Sequence, residues 1–309
     1  MINAVACPVC LTSRYETEYE DASDYEYGAS GKFNFIKCTT CGVMILSPQP
    51  SIEELLSYYP PDYHGYNSSS RGLISILYRV IDELRASRYA AISGPQGLIL
   101  DIGCADAQYF DIIKSRFPGI KPVGIEFNDS VAEKGRRLNR NIITGTLRSA
   151  RLDTDFNLIV MNNLIEHVLD PMAELKAAAS LLKNNGSILV ETPNTDCWDR
   201  AVFGRYWGGL HVPRHTFLFT PSSISALAEK VGLKVKSIKY PINTDHWALS
   251  FQNRLQNTSE FRASLKNGRT WYFKFLLFLM IPLNLIQKLL GKTGSMEVVL
   301  IKKGGACEA

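Results

Sequence analysis

Three absences narrow the reading before any motif is considered. The first residues carry neither a basic start nor an apolar core, so no export signal is expected. The seven cysteines are therefore expected in a reducing cytoplasm, where pairs spaced CxxC mean metal more often than disulfide. No apolar stretch reaches the roughly 20 residues that a membrane-spanning helix needs. The nearest, Trp271 to Leu290, is interrupted by Lys274, Pro282, Asn284, Gln287 and Lys288. Acids are nearly missing from the carboxyl end: residues 261–303 hold eight bases and a single acid, Glu297. Residues 1–50 have the opposite balance, six acids against three bases, which opposes contact with a phosphate backbone and makes nucleic acid an unexpected partner.

What is present is enough for one large α/β domain with a small appendage, at 309 residues and 46% hydrophobic content. The chain is organised around Leu98–Ile102, a short apolar run broken only by Asp101, the pattern of a strand buried on both faces. A turn of small residues follows, and then Phe110, Ile113 and Phe117 recur at helical spacing. A second strand, Val123–Glu126, ends in a carboxylate 25 residues after Asp101. In such βαβ units that carboxylate typically receives the ribose hydroxyls of a nucleoside-containing cofactor. A dinucleotide fingerprint is also absent, since its three glycine positions read Gly103, Ala105 and Gln108.

The stretch Asp101-Ile-Gly-Cys-Ala-Asp-Ala107 instead resembles the D-x-G-x-G-x-G loop of class I methyltransferases that use S-adenosylmethionine, with Glu126 as their ribose-binding acid. Ala105 and Ala107 replace two glycines, and because alanine disfavours positive φ the loop is expected to be slightly altered. The resemblance runs from Leu73 to Lys303 apart from an insertion at 241–294. It implies a Rossmann-like doubly wound α/β sheet of seven strands, the last antiparallel. It also implies a cofactor site made of Asp101, Gly103, Cys104, Ala105, Tyr109, Glu126 and Phe127, with Asn162 and Asn163 facing it from the end of the fourth strand, Phe156–Met161.

Cys7-Pro-Val-Cys10 and Cys38-Thr-Thr-Cys41 are two CxxC knuckles 27 residues apart, enough thiolates to close a structural zinc site; redox-active thiols are the other reading. The acidic, tyrosine-rich segment between them is expected to form a hairpin with a loose tip. Residues 1–50 then form a zinc ribbon, 51–72 a linker and 73–309 the methyltransferase domain. In the linker, Tyr63, His64 or Tyr66 lids the active site, or the tyrosines simply pack the ribbon against the domain. Leu73, Ile74, Leu77, Ile81 and Leu84 predict an amphipathic helix.

Pro171 predicts a helix through Leu182, with Asn184-Asn185-Gly186 ending it and a fifth strand at Ser187–Glu191. Leu164-Ile-Glu-His-Val168 resembles the L-x-E-H-V of ubiquinone-type O-methyltransferases, where the acid and histidine have been linked to a metal; Glu166 and His167 read here as hydrogen-bonding orienters of the loop. Trp207 through Pro213-Arg-His215 and Phe219 resembles the W…P-R-H-x-x-x-F segment of bacterial methyltransferases that modify sugars and surface polysaccharides, and the zinc knuckles resemble those at the amino end of sugar methyltransferases. That resemblance implies methyl transfer to a sugar or glycan hydroxyl. His215 is expected as general base, with His211, His167 and Tyr63 as rivals. The alternatives are an RNA methyltransferase with a zinc-finger module, a ubiquinone-type enzyme, and a zinc-stapled membrane adaptor without turnover. The basic, apolar 271–290 stretch reads either as a homodimer or core-packing helix, or as peripheral docking on the inner face of the membrane.

Overall fold

The computed structural model describes residues 6–60, 63, 73–258, 264–266 and 268–304. His64 and Tyr66 of the expected lid, and the linker serines 68–70, lie outside the described residues, as do the side chains of Leu73, Ile74 and Leu77.

The amino end forms strands β1 (Tyr15–Ala22), β2 (Phe33–Cys38) and β3 (Met44–Ser47), followed by helix α1 (Ile52–Ser57), which Ser51 and Glu54 close with reciprocal capping bonds. Helix α2 (Leu73–Ser93) leads into β4 (Leu98–Ile102), α3 (Tyr109–Arg116), β5 (Lys121–Glu126), α4 (Asp129–Arg136) and β6 (Ile142–Thr144). The second half continues with β7 (Phe156–Asn162), α5 (Pro171–Ser180), β8 (Leu182–Pro193), α6 (Trp198–Phe203), β9 (Phe217–Leu218), α7 (Pro221–Lys230) and β10 (Leu233–Lys239). The insertion supplies α8 (Asp245–Gln256), α9 (Phe273–Leu279) and α10 (Ile281–Leu290), and β11 (Ser295–Lys302) ends the described elements.

The main sheet has seven strands in the order β10-β11-β8-β7-β4-β5-β6. β11 runs antiparallel to both neighbours, while β8, β7, β4, β5 and β6 pair in parallel. This is the Rossmann-like seven-stranded sheet, last strand antiparallel, that the sequence resemblance implies. Its winding reverses between β4 and β7, and a ligand in such a sheet sits beyond the carboxyl ends of those two strands. The central strands are apolar on both faces because helices cover both, with Leu100, Ile159, Met161 and Val190 fully buried on one side and Ile99, Leu158 and Val160 on the other.

A second sheet, β1-β2-β3-β9, joins the ribbon to the main domain: β3 pairs antiparallel with β9, Met44 opposite Leu218 and Ile45 opposite Phe217. The hairpin tip is not loose. Asp24 accepts backbone N–H bonds from Glu26, Tyr27 and Ala29, which curls the tip on itself, and its Oδ2 accepts from the Arg214 guanidinium at 2.9 Å, both side chains 1% exposed.

Two other expectations change. Helix α5 stops at Ser180 and β8 begins at Leu182, pairing with Phe156. Asn184-Asn185-Gly186 is then an irregularity inside the strand, not a helix terminator. Gly186 is required there, because a Cβ would sit 2.7 Å from Leu182 Cδ1 and 2.9 Å from the Phe156 carbonyl oxygen. In α2, Ile81 and Leu84 are exposed, and the buried face is Ala86, Tyr89 and Ala90. Among its described side chains, Ile81, Asp82 and Arg85 line the cleft and those of the last turns meet the core.

The Asp24–Arg214 pair yields a stability test. Breaking a buried ion pair from one side strands the other charge, at a cost of about 3–5 kcal/mol. Asp24→Asn should therefore lower the urea midpoint by the equivalent of that loss with an unchanged m-value.

Candidate active site

Beyond the ends of β4 and β7 opens a cleft of about 1120 Å³. That exceeds the range of roughly 300–1,000 Å³ typical of a single small-molecule site, and leaves room for a cofactor and an acceptor together.

The cofactor half is built by the turn after β4. Gly103, Ala105 and Ala107 all have positive φ, at 76°, 50° and 53°. The two alanines thus adopt the left-handed backbone that glycine accommodates more readily. Left-handed alanine costs about 1–2 kcal/mol per residue, so the surroundings must hold the turn. Gly103 and Cys104 donate to the Ile125 carbonyl, and Ala105 N–H donates to Glu126 Oε2 at 2.9 Å. Gly124 makes this seating possible, since a Cβ there would lie 2.4 Å from Cys104 Sγ.

Glu126 Oε1 accepts from Asn128 N–H at 2.8 Å. Each carboxylate oxygen so engaged retains a second lone pair for a ribose hydroxyl. Burial raises its pKa against the opposing pull of these backbone bonds. Asp101 is buried and accepts from Tyr109 OH at 2.8 Å, and desolvation pushes it up to about 7. Asn162 Nδ2 donates to Tyr89 OH, while its buried Oδ1 has no hydrogen-bond partner among the described residues. That atom is an acceptor waiting for a donor such as an ammonium group. Asn163 lines the cleft in a left-handed conformation, and Phe127 stands half exposed at the mouth. All nine residues expected at the cofactor site except Asn162 and Asn163 come from β4, β5, the turns after them and the start of α3, and those two lie at the end of β7. Arg85 of α2 was not anticipated; it lines the cleft with Asp82, to which it donates at 3.2 Å.

The acceptor half is assembled from distant segments. His167, His211 and His215 meet as a cluster, ring centroids 4.6 Å apart for His167–His215 and 5.0 Å for His211–His215. Tyr59 and Tyr63 close over them, with Tyr59 OH 2.8 Å from His167 Nδ1 and Tyr63 OH 3.0 Å from His211 Nε2. His215 Nδ1 lies 2.8 Å from the Gly209 carbonyl, so it carries the proton and donates to it. His211 Nδ1 lies 2.8 Å from Glu26 Oε1 and donates likewise, while Glu26 Oε2 accepts from Arg269 at 2.8 Å. Desolvation first, and Arg214 next, lower His211 well below its usual value; desolvation and then His167 do the same for His215. Both rings are neutral near pH 7.

The backbone oxygen of Glu166 accepts from Thr216 and Phe217 N–H and its carboxylate from Thr192 Oγ1 at 3.0 Å, while His167 Nδ1 meets the Arg214 carbonyl oxygen at 3.1 Å. Burial pushes the Glu166 carboxyl up to about 8, and its buried Oε1 is unpartnered among the described residues. With His215, these two offer atoms within 4.8 Å of one another, one ligand short of a closed four-ligand site.

At the amino end the Sγ atoms of Cys7 and Cys41 are 3.8 Å apart and those of Cys10 and Cys38 3.5 Å, all four within 4.8 Å. A tetrahedron with Zn–S bonds near 2.3 Å has edges of about 3.8 Å. The cluster could hold that ion.

A family model described as a methyltransferase domain matches residues 74–238. The chain belongs to that family. It is a class I S-adenosylmethionine-dependent methyltransferase, and the adaptor reading without turnover is set aside. The ubiquinone biosynthesis O-methyltransferase of Stutzerimonas stutzeri is 28% identical over 169 residues, 49% of this chain and 72% of that protein. That of Aeromonas salmonicida is 24% identical over 45% of this chain and 64% of its own. Among solved structures, a SAM dependent methyltransferase from Archaeoglobus fulgidus aligns with TM-score 0.48 and 17% identity, covering 73% of this chain and 94% of that one. The family model leaves the ribbon and the insertion unmatched, yet Glu26 and Arg269 come from those two parts. No local pattern marks either residue: Glu26 is one of six acids in an acidic run, and its partners lie 185 and 243 positions away.

The methyltransferase's cofactor grip can be tested at Glu126. Glu126→Gln keeps the shape but cannot accept two backbone N–H bonds and two hydroxyls. Bonds to a charged acceptor are worth about 1.5–3 kcal/mol each, so calorimetry should show S-adenosylmethionine bound at least about tenfold more weakly. An unchanged dissociation constant would remove Glu126 from the site.

Proposed function

We propose that the enzyme moves the methyl group of S-adenosylmethionine to a hydroxyl of a sugar or cell-surface glycan precursor, with Glu26, His211 and Tyr63 managing the acceptor's proton. The cofactor supplies an electrophilic methyl on sulfur, so the protein has mainly to align the acceptor oxygen in line with it and remove its proton. Asp101, Gly103, Ala105, Glu126, Phe127, Asn162 and Asn163 hold the cofactor in this reading.

The observation that carries the reading is the Glu26–His211 contact. An aliphatic hydroxyl is a poor nucleophile at neutral pH and needs a base. Glu26 fixes the Nδ1–H tautomer of His211 and steadies the imidazolium as it forms, leaving Nε2 to take a proton; a carboxylate plays this part in other catalytic dyads and triads. Tyr63 lines the cleft with its hydroxyl 3.0 Å from Nε2, and in this proposal it takes the acceptor's proton as it gives its own to His211. His215 donates to a neutral carbonyl, which stabilises a positive ring less, and the proposal therefore moves from His215 to His211. A phenolic acceptor of the ubiquinone type is far more acidic and would gain much less from this dyad. That second reading is supported by the names of the relatives.

Cys7, Cys10, Cys38 and Cys41 hold a structural zinc in this proposal. The metal staples the knuckles to β2 and β3 and, through them, fixes the tip that carries Glu26.

Two experiments follow. His211→Asn should bind S-adenosylmethionine normally and lose about 10²–10⁴ in turnover, with Glu26→Gln losing a smaller share and His215→Asn turning over nearly as well as the native enzyme. A dead His215→Asn beside a normal His211→Asn would return the role to His215. Mass spectrometry of reactions offered nucleotide sugars and dihydroxybenzenes identifies the acceptor class; methylation of the phenols alone would overturn the glycan reading. For the metal, elemental analysis should find one zinc per chain, and Cys38→Ser should lose it and melt earlier. Turnover should then fall more than cofactor affinity, because Glu26 rather than Glu126 depends on the ribbon. Purified protein without zinc and with four reactive thiols would refute the site.

A further inference from the structure

Helix α10 is inside out for a helix facing water. Its two uncharged polar residues, Asn284 and Gln287, are 0% exposed, while Ile286, Leu289 and Leu290 point outward, Leu289 at 87% exposure. The polar face is pinned: Asn284 exchanges hydrogen bonds with the Asn243 backbone at 2.9 and 3.1 Å, and Gln287 accepts from Trp247 Nε1 at 2.8 Å and donates to the Lys292 carbonyl at 2.9 Å. The helix therefore cannot roll its leucines inward. Helix α9 adds Phe275 and Phe278 to the same outward set, and Trp271 just before it is 85% exposed. A water-facing surface helix normally shows the reverse arrangement, and apolar surface of this extent marks an interaction site.

Charge decides what covers it. Between residues 261 and 294 the sequence contains no acid, and Lys266, Lys274 and Lys288 are exposed on or beside the apolar face. A two-fold contact between copies of this chain would set the same patch against itself, lysine facing lysine with no carboxylate between. An anionic lipid surface satisfies both halves of the pattern, apolar side chains entering the acyl boundary and ammonium groups resting among headgroup phosphates. No single described helix is long and apolar enough to cross a membrane; α9 and α10 pass a length and composition test only as a pair bent by 50°. With the polar face of α10 bonded to the protein, one face alone is available to lipid. We infer that α9 and α10 dock this methyltransferase in the plane of an anionic membrane surface. Helix α8 separates this face from the cleft, lining the cleft with His246 and Leu249 and packing Ala248 and Leu249 against Phe273 of α9.

Co-sedimentation of the full chain with extruded vesicles tests this. Vesicles containing phosphatidylglycerol should retain the protein at least about tenfold better than pure phosphatidylcholine, and raised salt should release it. Trp271 fluorescence should shift to the blue on binding, with Trp271→Phe assigning the signal. Lys274→Glu with Lys288→Glu should lose at least about tenfold in partitioning. Phe275→Ser with Leu289→Ser should lose binding even at low salt, while both variants keep native S-adenosylmethionine affinity. Equal retention on neutral vesicles, no retention at all, or a lipid-free dimer that Phe275→Ser with Leu289→Ser dissociates would each overturn the inference.

Discussion

A guanidinium almost wholly out of water holds this molecule's parts in register. Arg214 donates through Nε to the Tyr58 carbonyl at 2.7 Å, through Nη1 to Val212 at 3.1 Å and through Nη2 to Asp24 at 2.9 Å, with the Tyr27 ring 4.6 Å from its carbon. Those four partners belong to the end of α1, the loop before β9 and the tip of the ribbon hairpin. Taking such a group out of water is expensive, and it is tolerated only where several fixed acceptors surround it. The converse constraint is more informative. Because the charge is buried, each of those segments has essentially one place to sit, and the histidines on either side of Arg214 inherit that precision. His211 can meet Glu26 only if the tip carrying Asp24 is docked.

What could be read in the sequence was whatever local order encodes. The β4 strand, the small-residue turn and the acid closing β5 are contiguous, so periodicity and turn chemistry locate them nearly to the residue. The four cysteines are legible for the same reason, since a CxxC is a local object. The elements that differed did so where tertiary contact overrides local preference. Asn184-Asn185-Gly186 looks like a terminator, yet pairing with Phe156 carries it into the strand. Ile81 and Leu84 fit a helical stripe, but the helix meets the core one turn later, at Ala86, Tyr89 and Ala90. The acidic run between the knuckles predicts a hairpin with a loose tip, yet two of its acids are buried partners of an arginine and a histidine.

The turn after β4 shows how far surroundings can dictate backbone. Alanine resists positive φ, and the substitution at positions 105 and 107 suggested a changed loop. The turn is nevertheless held through its first half by the Ile125 carbonyl and the Glu126 carboxylate, and Ala107 N–H closes it onto the Cys104 carbonyl. A few hydrogen bonds to fixed acceptors outweigh a preference of one or two kcal/mol per residue. The carboxylate that receives the ribose in the proposed site therefore also shapes the loop beside it. Cofactor grip and loop geometry are one device at this point.

The two halves of the cleft differ in how they are made, and the difference bears on where specificity resides. The cofactor half comes from neighbouring turns of one sheet, all inside residues 74–238, the part that the family shares. The acceptor half draws Tyr59 and Tyr63 from the linker, Glu26 from the ribbon, and Asp245, His246 and Arg269 from the insertion. His167, His211 and His215 lie within the matched region, as do Gly209 and Arg214 beside them, but the carboxylate that fixes the His211 tautomer comes from outside it. A methyl donor common to a family can be held by common parts. In the proposed reading the acceptor is met partly by elements outside the matched region, the ribbon and the insertion, with Glu26 bonding His211 through Oε1 and Arg269 through Oε2.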